Sequence, residues 1–436
     1  MEIITAKKPI FCQKFHKQTL DETLGFELII SQNFEEINHF WQQITPNNNI
    51  FLQSDFMRVC MQVPLQDTGQ VFGVFLKDNQ PQGIIYTQYK NFNLDESRNG
   101  KPLDASHKIS KKFKGILARN LDINTLICGN LCLTGENGYL FNENISTETS
   151  QKLVFWAMGR IKQSLKKQNI DIKMYFVKDF FEKKSALVED RYTQFAFQPA
   201  MLLQIRAEWL TFDDYLLALH AKARARVKRA IKKSAELTKK ELNLDEIKHY
   251  EKEIHTLYTK ISDNADFNLY VQQNNSSSVL KQHLGDKFRL TAYFDNVDNQ
   301  PKLVGFCTTI ENYGKLEAGF IGFEYSYNAS HQIYLSMLYE ILNIGIKSKS
   351  KSINYGRTAT EIKSSLGADA FEMYCYLRHT NVIFNALTPY LVDYIDKPEV
   401  WQPRHPFLEN TENKENQQNN ITNNKKIIAE IEEDYK

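Results

Sequence analysis

The sequence predicts an α/β (α+β) chain in which one structural unit occurs twice. Each half contains a hairpin pattern, and both turns end in Asn-Gln-Pro, within residues 78–81 and 298–301. A long amphipathic helix follows in each half, over 150–168 and 330–349. Each helix leads into a strand, "DIKMYFVKDF" and then "SINYGR". This repetition at half the chain length predicts two tandem domains, each with a mixed central sheet flanked by helices.

Length and composition agree with two domains. The chain has 436 residues, of which 42% are hydrophobic and 12% aromatic, enough for sizeable cores. The net charge is only +2, so affinity for a polyanion would need locally clustered cations. The N-terminal segment lacks the apolar stretch of a signal peptide, and no run approaches the ~20 apolar residues of a spanning helix. We therefore expect a soluble, cytoplasmic protein with at most peripheral membrane contact.

The cysteines predict neither a metal site nor a disulfide framework. The six residues are scattered, and only Cys128 and Cys132 lie close together, in "CGNLC". A lone C-x3-C without a second pair or nearby histidines is a poor metal signature. We expect reduced core thiols, no metal and no tightly bound cofactor.

The domain limits follow from shifts in composition. We predict an N-terminal domain at 1–205 and a C-terminal domain at 206–408, which meet near "FQPAMLLQIRAEWLTF". Residues 409–436 are almost entirely Asn, Glu, Lys and Gln and are expected to form a disordered tail, because they cannot bury enough apolar surface. The polar segment 91–115 is either a mobile lid over the cleft or an insertion in the first domain, and the insertion is the preferred interpretation.

A basic helix is predicted where the second domain opens. It should begin around Thr211 and continue through "HAKARARVKRAIKKSAELTKKEL", with an apolar stripe every four residues at Leu219, Ala223, Val227 and Ile231. The other faces carry cations: Lys222, Arg224, Arg226, Lys228, Arg229, Lys232 and Lys233. These cations form a solvated face, or they bind a tRNA backbone, the acidic helix of an acyl carrier protein or anionic lipid headgroups. Aromatic residues that would stack on bases are absent, so neither DNA binding nor sequence-specific RNA reading is expected.

The segment "INYGRTATEIKSSLGA", residues 353–368, has the pattern of a strand, a turn and a short helix. Its "TATE" matches a capping box, in which the Thr358 hydroxyl and the Glu361 carboxylate each accept from the other's backbone N–H. Gly356 predicts a positive φ or a close backbone approach, and Gly367 predicts the helix end. These residues have a structural explanation.

Arg357 and Lys363 have no such explanation. Ile362 and Leu366 lie four residues apart and are expected to face the core, which leaves Lys363 pointing elsewhere. A helix start preceded by Gly and Arg attracts anions, because free N–H groups and the helix dipole favour negative charge there. The pattern fits a capped turn with two solvated cations, and it also fits an anion site.

These segments resemble the signature of tandem-GNAT proteins, the FemAB-like aminoacyltransferases and related bacterial acyltransferases. The similar features are strand–Gly–Arg–Thr followed by a lysine just before a glycine, the preceding helix with "YLSMLYEIL", the basic helix, and "VKDF" followed by "FQPAM". The resemblance covers roughly residues 25–400. It implies two GNAT-like domains, with the active cleft mainly in the second domain and at the interface between them.

The resemblance also implies transfer of an acyl or aminoacyl group onto an amine or hydroxyl. By position in the motif, Lys363 would stabilise the oxyanion of the tetrahedral intermediate or bind a phosphate, and Arg357 would do the same bidentately. Glu361 is a candidate general base. The candidate substrate- or donor-binding residues are Gly356, Thr358, Tyr334, Lys222, Arg224 and Arg226.

One departure bears on the donor. Acetyl-CoA-dependent GNATs carry a glycine-rich loop before the central helix, whose amides bind the pyrophosphate, but the corresponding "FEYSYNASHQIY" has no glycine. We therefore expect a long-chain acyl-CoA, an acyl carrier protein or a charged tRNA as donor. The acceptor would be a small-molecule or lipid amine.

Three functions remain open. The leading hypothesis is an N-acyltransferase that uses a thioester donor, in lipid or cell-envelope metabolism. The first alternative is an aminoacyl-tRNA-dependent, FemAB-like peptidoglycan aminoacyltransferase, although the coiled-coil arm that such enzymes normally carry is not evident. The second alternative is a non-catalytic duplicate that binds acyl carriers or acidic partners.

Overall fold

The computed structural model describes residues 12–14, 25–44, 49–93, 122–184, 187–188, 190–196, 198–264, 270–395 and 401–408. The predicted tail at 409–436 and most of the predicted insertion at 91–115 lie outside the described residues.

The strands are β1 (Cys12–Lys14), β2 (Phe26–Ser31), β3 (Thr68–Lys77), β4 (Gln80–Asn93), β5 (Asp122–Cys128), β6 (Tyr139–Phe141), β7 (Met174–Phe180), β8 (Thr193–Ala196), β9 (Ala200–Gln204), β10 (Thr238–Glu241), β11 (Phe288–Val297), β12 (Gln300–Asn312), β13 (Lys315–Phe323), β14 (Ser352–Asn354), β15 (Asp369–Phe371) and β16 (Tyr374–His379). The α-helices are α1 (Asn38–Trp41), α2 (Ser54–Gln62), α3 (Thr147–Lys166), α4 (Phe212–Ala218), α5 (Ala221–Ser234), α6 (Leu244–His249), α7 (Glu251–Asp263), α8 (Ser276–Leu284), α9 (Tyr325–His331), α10 (Ile333–Lys347), α11 (Thr360–Ser364), α12 (Val382–Asn385) and α13 (Thr388–Ile395).

The two hairpins of the predicted repeat are present and share one turn geometry. Asp78 and Asn79 have φ of 51° and 61° between β3 and β4, and Asp298 and Asn299 have φ of 50° and 60° between β11 and β12. Two successive left-handed residues are typical of the type I′ turn, whose twist suits a two-residue hairpin. Asp and Asn tolerate this conformation better than other non-glycine residues.

Two mixed sheets form the body of the molecule, as the sequence predicts. The first has the order β1-β2-β3-β4-β5-β7-β16-β8, with β6 paired to β4, and the second has the order β10-β11-β12-β13-β14-β9-β15. Each sheet contains one parallel pair among its described strands, β5 with β7 and β13 with β14. The other ladders are antiparallel.

The sheets exchange strands across the predicted domain boundary. β9 precedes residue 205 but pairs with β14 and β15 in the second sheet. β16 comes from the second half but pairs with β7 and β8 in the first sheet. The limits 1–205 and 206–408 remain a prediction, and the exchange means that the two sheets are interlocked rather than merely adjacent.

Three large apolar clusters define the layers. One, which includes Val71, Phe75 and Ile161, lies between the first sheet and α3. Another, which includes Leu203 and Ile341, lies between the second sheet and α10. The third lies between the sheets and draws on both halves, with members Phe34, Trp41, Phe72, Met57, Leu280, Leu290 and Phe306. The halves therefore share a continuous core, which holds the ends of their strands in a fixed relation.

Two predicted helices are interrupted. The helix expected over 330–349 breaks at Gln332, which has φ 51° and separates α9 from α10. The helix expected from Thr211 onward breaks where Leu219 and His220 are extended, between α4 and α5. It also ends at Ser234 rather than at the predicted Leu242, because residues 238–241 form β10. A continuous pattern of residue types concealed both breaks.

The predicted apolar stripe of the basic helix is partly wrong. Val227 is buried as expected, but Ile231 is 41% exposed, and the inward face of α5 instead contains Ala230 and Ser234. Because α5 begins only after the break, its inward face follows the i, i+3 and i+7 positions rather than the fourfold spacing.

Candidate active site

The parallel pair of the second sheet opens at the end of β14. Pairing between β13 and β14 ends at Glu317 and Asn354, although β13 continues to Phe323. On the other side, the chain stays attached to β9, because Tyr355 N–H donates to the Met201 carbonyl and Met201 N–H donates to the Gly356 carbonyl. The sheet thus splits on the β13 side of the segment 353–368 and stays paired on the β9 side.

The turn after β14 is strained, and the predicted capping box is wrong. Gly356, Thr358 and Ala359 have φ of 68°, 65° and 48°. Ala359 is the residue that precedes α11, and no side chain caps this helix. Two left-handed non-glycine residues cost on the order of 1–2 kcal/mol each, and such strain is concentrated at functional sites.

The lysine of α11 points inward, contrary to expectation. The buried residues of α11 are Thr360, Lys363 and Ser364, whereas Ile362 is 40% exposed. Because α11 begins after two left-handed residues, its polar i, i+3 and i+4 positions face the interior. Leu366 is buried as predicted, but it lies beyond the helix end.

Lys363 is a buried cation without a buried counter-charge. The residue is 5% exposed, and its Nζ donates to the Arg357 carbonyl at 2.5 Å. Among the described residues, no carboxylate lies within ion-pair distance of this Nζ. Burial lowers the pKa of Lys363 to about 7. Near neutral pH the group therefore exists in both forms, and an anion placed beside it would favour the ammonium.

Arg357 is held by two partners from the first half of the chain. Its guanidinium donates to the Gln198 carbonyl at 2.7 Å and forms an ion pair with Asp179, at the end of β7. Asp179 is 1% exposed and adopts φ 68°. The end of β7 in the first sheet is thereby joined to the chain just after β14 in the second sheet.

The Asp179 carboxylate lies between two cations. Its other oxygen accepts from Lys178 Nζ at 2.5 Å, and the same ammonium donates to the carbonyls of Asn130 and Leu133. Burial alone would raise the pKa of Asp179, but Lys178 and Arg357 outweigh burial and hold the pKa below its ordinary value. Asp179 is therefore an anion that positions Arg357.

Asp179 was not named as a site residue from the sequence, yet a signal for it existed. "VKDF" contains Asp179 and "FQPAM" contains Gln198, so both segments that support the family resemblance supply partners of Arg357. What the sequence lacked was the pairing, because 178 residues separate Asp179 from Arg357.

A buried carboxylate beneath the split was also missed. Glu317 is 7% exposed, and its Oε1 accepts from Asn312 Nδ2 at 3.1 Å. Burial raises the pKa of Glu317 despite hydrogen bonds from Asn312 and Asn354. The Asn354 Oδ1 in turn accepts from Gly356 N–H at 2.9 Å. This polar chain fixes the last residues before the turn.

The remaining candidates near the turn have other contacts. Glu361 is exposed and pairs with Arg404, whose Nε donates to Oε1 at 3.1 Å. Thr358 is exposed at the turn itself. Tyr334, on α10, packs its ring against Phe323, and burial raises its pKa to about 12. The catalytic role of Glu361 and the binding roles of Thr358 and Tyr334 remain predictions.

The three candidates on α5 differ among themselves. Arg224 donates to the carbonyls of Leu216 and Leu219, both at 2.8 Å, and so satisfies the C-terminal end of α4. Lys222 and Arg226 are exposed. No contact of the described residues joins these three cations to the turn at Gly356.

Two backbone amides at the start of α10 are engaged by Asn328. α9 occupies the segment before α10, where Gln332 N–H donates to the Asn328 carbonyl at 3.2 Å and Tyr334 N–H donates to Asn328 Oδ1 at 3.4 Å. The Asn328 side chain thus lies at the start of α10, where a GNAT loop would present free amides.

The described residues contain no group of three or more His, Cys, Asp or Glu that could hold a metal ion. Cys60, Cys128, Cys132, Cys307 and Cys375 are free thiols. Among the helices in the described part of the chain, none is long and apolar enough to cross a membrane.

Comparison with known proteins yields similarity in structure alone. No family model matches the sequence, and no curated protein matches it. Solved structures similar to this one include FemX (8% identity, TM-score 0.45, covering 79% of this chain and 95% of FemX). A tandem GNAT protein from the clavulanic acid biosynthesis pathway has 9% identity and a TM-score of 0.45, covering 82% of this chain and 99% of its own.

A third similar structure is L-PGS from Bacillus licheniformis, with 11% identity and a TM-score of 0.45, covering 84% of this chain and 98% of its own. At such identities and TM-scores the likeness concerns only the general fold, and the function has to be argued from the geometry.

Proposed function

We propose that the protein is an acyltransferase that transfers an acyl group from a thioester donor to an amine. The observation that carries this proposal is the buried, uncompensated ammonium of Lys363 at the point where the second sheet splits. Folding has already removed this charge from water, so it needs no reorganisation when an oxyanion develops beside it. A lysine that served only as a surface cation would gain nothing from this burial.

The reaction requires one new bond and one broken bond. The neutral acceptor amine attacks the thioester carbonyl, the C–N bond forms, and the carbonyl oxygen becomes an oxyanion beside the Lys363 ammonium. Collapse of this intermediate breaks the C–S bond and releases the thiolate, which takes up the proton that the amine nitrogen loses. Lys363 stabilises the intermediate electrostatically and forms no covalent bond with it.

Arg357 has a different role in this proposal from the one expected. Its guanidinium is engaged by Asp179 and the Gln198 carbonyl, and its own carbonyl accepts from Lys363 Nζ. We therefore assign Arg357 as a positioning residue, which holds the strained turn so that the Lys363 ammonium has a fixed location. Asp179 supports it from the first half of the chain.

The donor is proposed to be an acyl carrier protein or a long-chain acyl-CoA rather than acetyl-CoA. The segment before α10 has no glycine, and Asn328 accepts from the N–H groups of Gln332 and Tyr334, which leaves fewer free amides for a pyrophosphate. The exposed cations of α5 offer a second attachment point for an acidic carrier protein: Lys222, Arg226, Lys228, Arg229, Lys232 and Lys233. None of these cations forms an ion pair within the described part of the chain.

The same face of α5 favours a second candidate, an aminoacyl-tRNA-dependent transferase. A tRNA backbone would release counter-ions on binding, so its affinity would fall steeply with salt. The donor's ester oxygen would then replace the thiol as leaving group, while Lys363 would keep its role. The donor assay below separates the two candidates.

A direct test incubates the protein with acyl carrier protein loaded with long acyl chains, with long-chain acyl-CoA and with aminoacyl-tRNA, each with a panel of amines. Mass spectrometry detects the acylated product. We expect product from a thioester donor and its loss in K363M, a variant of similar side-chain length without charge. Product from aminoacyl-tRNA alone would support the second candidate. Product formation unchanged in K363M would refute the role of Lys363, and no product from any donor would favour a binding protein.

A further inference from the structure

The opposite end of β16 from the candidate active site carries an exposed apolar tip. Here α12 presents Val382, Ile383 and Phe384, which are 68%, 79% and 56% exposed. Tyr390 on α13 is also exposed. Large apolar side chains that are exposed singly need no explanation, but three in succession beside a fourth mark a surface that meets a non-aqueous partner.

The tip is held rigidly. The Asn381 side chain accepts from the N–H groups of Ile383 and Phe384, and the Asn385 side chain accepts from His379 N–H at 2.8 Å. The Phe384 ring lies 5.3 Å from the His379 ring, centroid to centroid. The exposure of these residues is therefore fixed by the surrounding hydrogen bonds and does not result from fraying of the helix.

A cavity of about 250 Å³ opens directly beside the tip. Arg191 and Arg378 line one part of it, together with His379 and Asn385, while Val382 and Ala386 line another. Asn385 ties the two sides together, because its Nδ2 donates to the Arg191 carbonyl at 2.9 Å. A cavity lined by two arginines beside apolar side chains suits a ligand with an anionic head and an apolar body.

The charges around the tip are predominantly positive. Besides the two arginines, Lys162 and Lys173 lie close enough to His379 to act on its ring. Among the described residues, the carboxylates in this region are Asp190, which pairs with Arg378 at 2.6 Å, Asp171, which acts on Lys162, and Asp393, which is exposed on α13. Four cations against three carboxylates leave a net positive collar around an apolar tip.

We propose that this surface, residues 378–390 with Arg191, binds an anionic phospholipid membrane. Val382, Ile383 and Phe384 enter the apolar layer, while a lipid phosphate occupies the cavity between Arg191 and Arg378. An apolar tip with a cationic collar matches the two layers of such a membrane, which presents anionic headgroups above acyl chains. A protein partner would need acidic groups around an apolar groove, and nothing in the fold favours that over a lipid surface.

The proposal does not depend on the transferase activity, because membrane binding requires no donor and no acceptor. The proposed membrane surface and the candidate active site are related only by their positions on β16. The Sγ of Cys375 contacts Asp179, and His379 lies four residues further along the strand. At 3.3 Å per residue, that strand segment places the tip about 13 Å from the Asp179 contact.

The test is co-sedimentation of the full chain with phosphatidylcholine vesicles, with and without phosphatidylglycerol. We expect binding only with phosphatidylglycerol, and binding that weakens as salt increases. The variant I383S/F384S should bind at least about tenfold more weakly. The variant K173Q/R191Q should lose about fivefold for each charge and show a smaller salt dependence.

Matched controls distinguish the tip from exposure in general. L210S/L217S alters two residues that are 77% and 65% exposed elsewhere, and it should bind as the wild type does. An F384W reporter should show a blue-shifted emission on phosphatidylglycerol vesicles alone. The proposal is overturned if no vesicles are bound, if phosphatidylcholine vesicles are bound equally well, or if I383S/F384S binds normally. Loss of binding in K228Q/R229Q/K232Q instead would place the membrane contact on α5 and also overturn it.

Discussion

In each sheet, a lysine lies near the point where the parallel strand pair ends. The two lysines differ in whether a carboxylate lies beside them. In the first sheet, Lys178 at the end of β7 contacts the Asp179 carboxylate and two backbone carbonyls. In the second sheet, Lys363 contacts the Arg357 carbonyl, with no carboxylate of the described residues in ion-pair distance. The first lysine has its counter-charge within the fold, whereas the second has none among the described residues.

The free space at the two strand ends also differs. Gly129, just after β5, has φ 116°, and a Cβ there would lie 3.4 Å from Lys178 Cγ. Gly356, just after β14, has φ 68°, and a Cβ there would meet no atom within 4 Å. The first strand end is filled by its own side chains and the second is open. The duplicated architecture therefore has one strand end that its own side chains fill and one that is open.

The largest effect is expected when each of the two lysines is replaced by methionine. K363M should lower kcat by about 10²–10³-fold, the usual cost of removing one preorganised oxyanion donor. K178M should retain most of the activity per folded molecule but lower the free energy of unfolding, because it leaves Asp179 with a single cation. Steady-state kinetics and urea titration of both variants measure this contrast. Equal loss of activity in the two variants would mean that both lysines are structural.

The next effect concerns the contact between the two strand ends. D179N removes the charge that Lys178 and Arg357 share, and breaking a buried pair in this way costs about 3–5 kcal/mol. Because the pKa of Asp179 is lowered in the folded state, the difference between wild type and D179N should persist above the ordinary pKa of 3.8 and shrink as the pH falls below it.

If Asp179 positions Arg357, D179N should lower kcat while KM changes little. Its matched control is E317Q, a buried carboxylate whose pKa is raised and whose neutral form the fold already favours. A D179N variant with wild-type stability would contradict the assigned role of the ion pair.

A smaller effect is expected in the pH dependence of the free energy of unfolding, which tests the pKa of Lys363. Its pKa is lowered from 10.5 to about 7, so between these values the unfolded state binds a proton that the folded state does not. The free energy of unfolding of the wild type, relative to K363M, should therefore rise with pH from about 7 to 10.5. Denaturant titrations across this range measure the difference.

In kinetics, loss of the ammonium predicts that kcat/KM falls above pH 7, since this parameter reports the free enzyme. K363R, which stays charged, should lack that falling limb. Identical pH profiles for K363R and wild type would exclude Lys363 as the titrating group.

The smallest effect is expected at Glu361. Its partner Arg404 is exposed, and exposed ion pairs contribute about 0–1 kcal/mol. E361Q should change the free energy of unfolding by less than that and kcat by less than about twofold. A loss of kcat near that of K363M would restore Glu361 as the general base predicted from the sequence.

The repeat and the main elements could be predicted from the sequence because they depend on local chemistry. Both Asp-Asn turns and both hairpins follow from residues adjacent in the chain, and so do the helix at 147–166 and the strand that follows it. The breaks at Gln332 and at Leu219–His220 could not be predicted, because helix-forming residues continue across them. Tertiary packing overrides such propensities at little cost.

At the candidate site, Arg357 and Lys363 could be picked out from the sequence, but the prediction of the backbone and side-chain orientation around them was wrong. The capping box required ordinary backbone angles at Thr358, whereas the turn is left-handed there. That change turned Lys363 inward and Ile362 outward. The residues that hold Arg357 came from the other half of the chain, where no local pattern linked them to it.

The sequence by itself thus determined that the chain is a duplicated α/β protein with two prominent cations after its last repeated strand. Only the tertiary structure decided that one cation is anchored by Asp179 and that the other is buried with no counter-charge among the described residues. The physical reason is range: turn and strand preferences act between neighbouring residues, whereas burial and ion pairing depend on which distant strands meet. Here the exchange of β9 and β16 between the sheets determines which distant strands lie side by side.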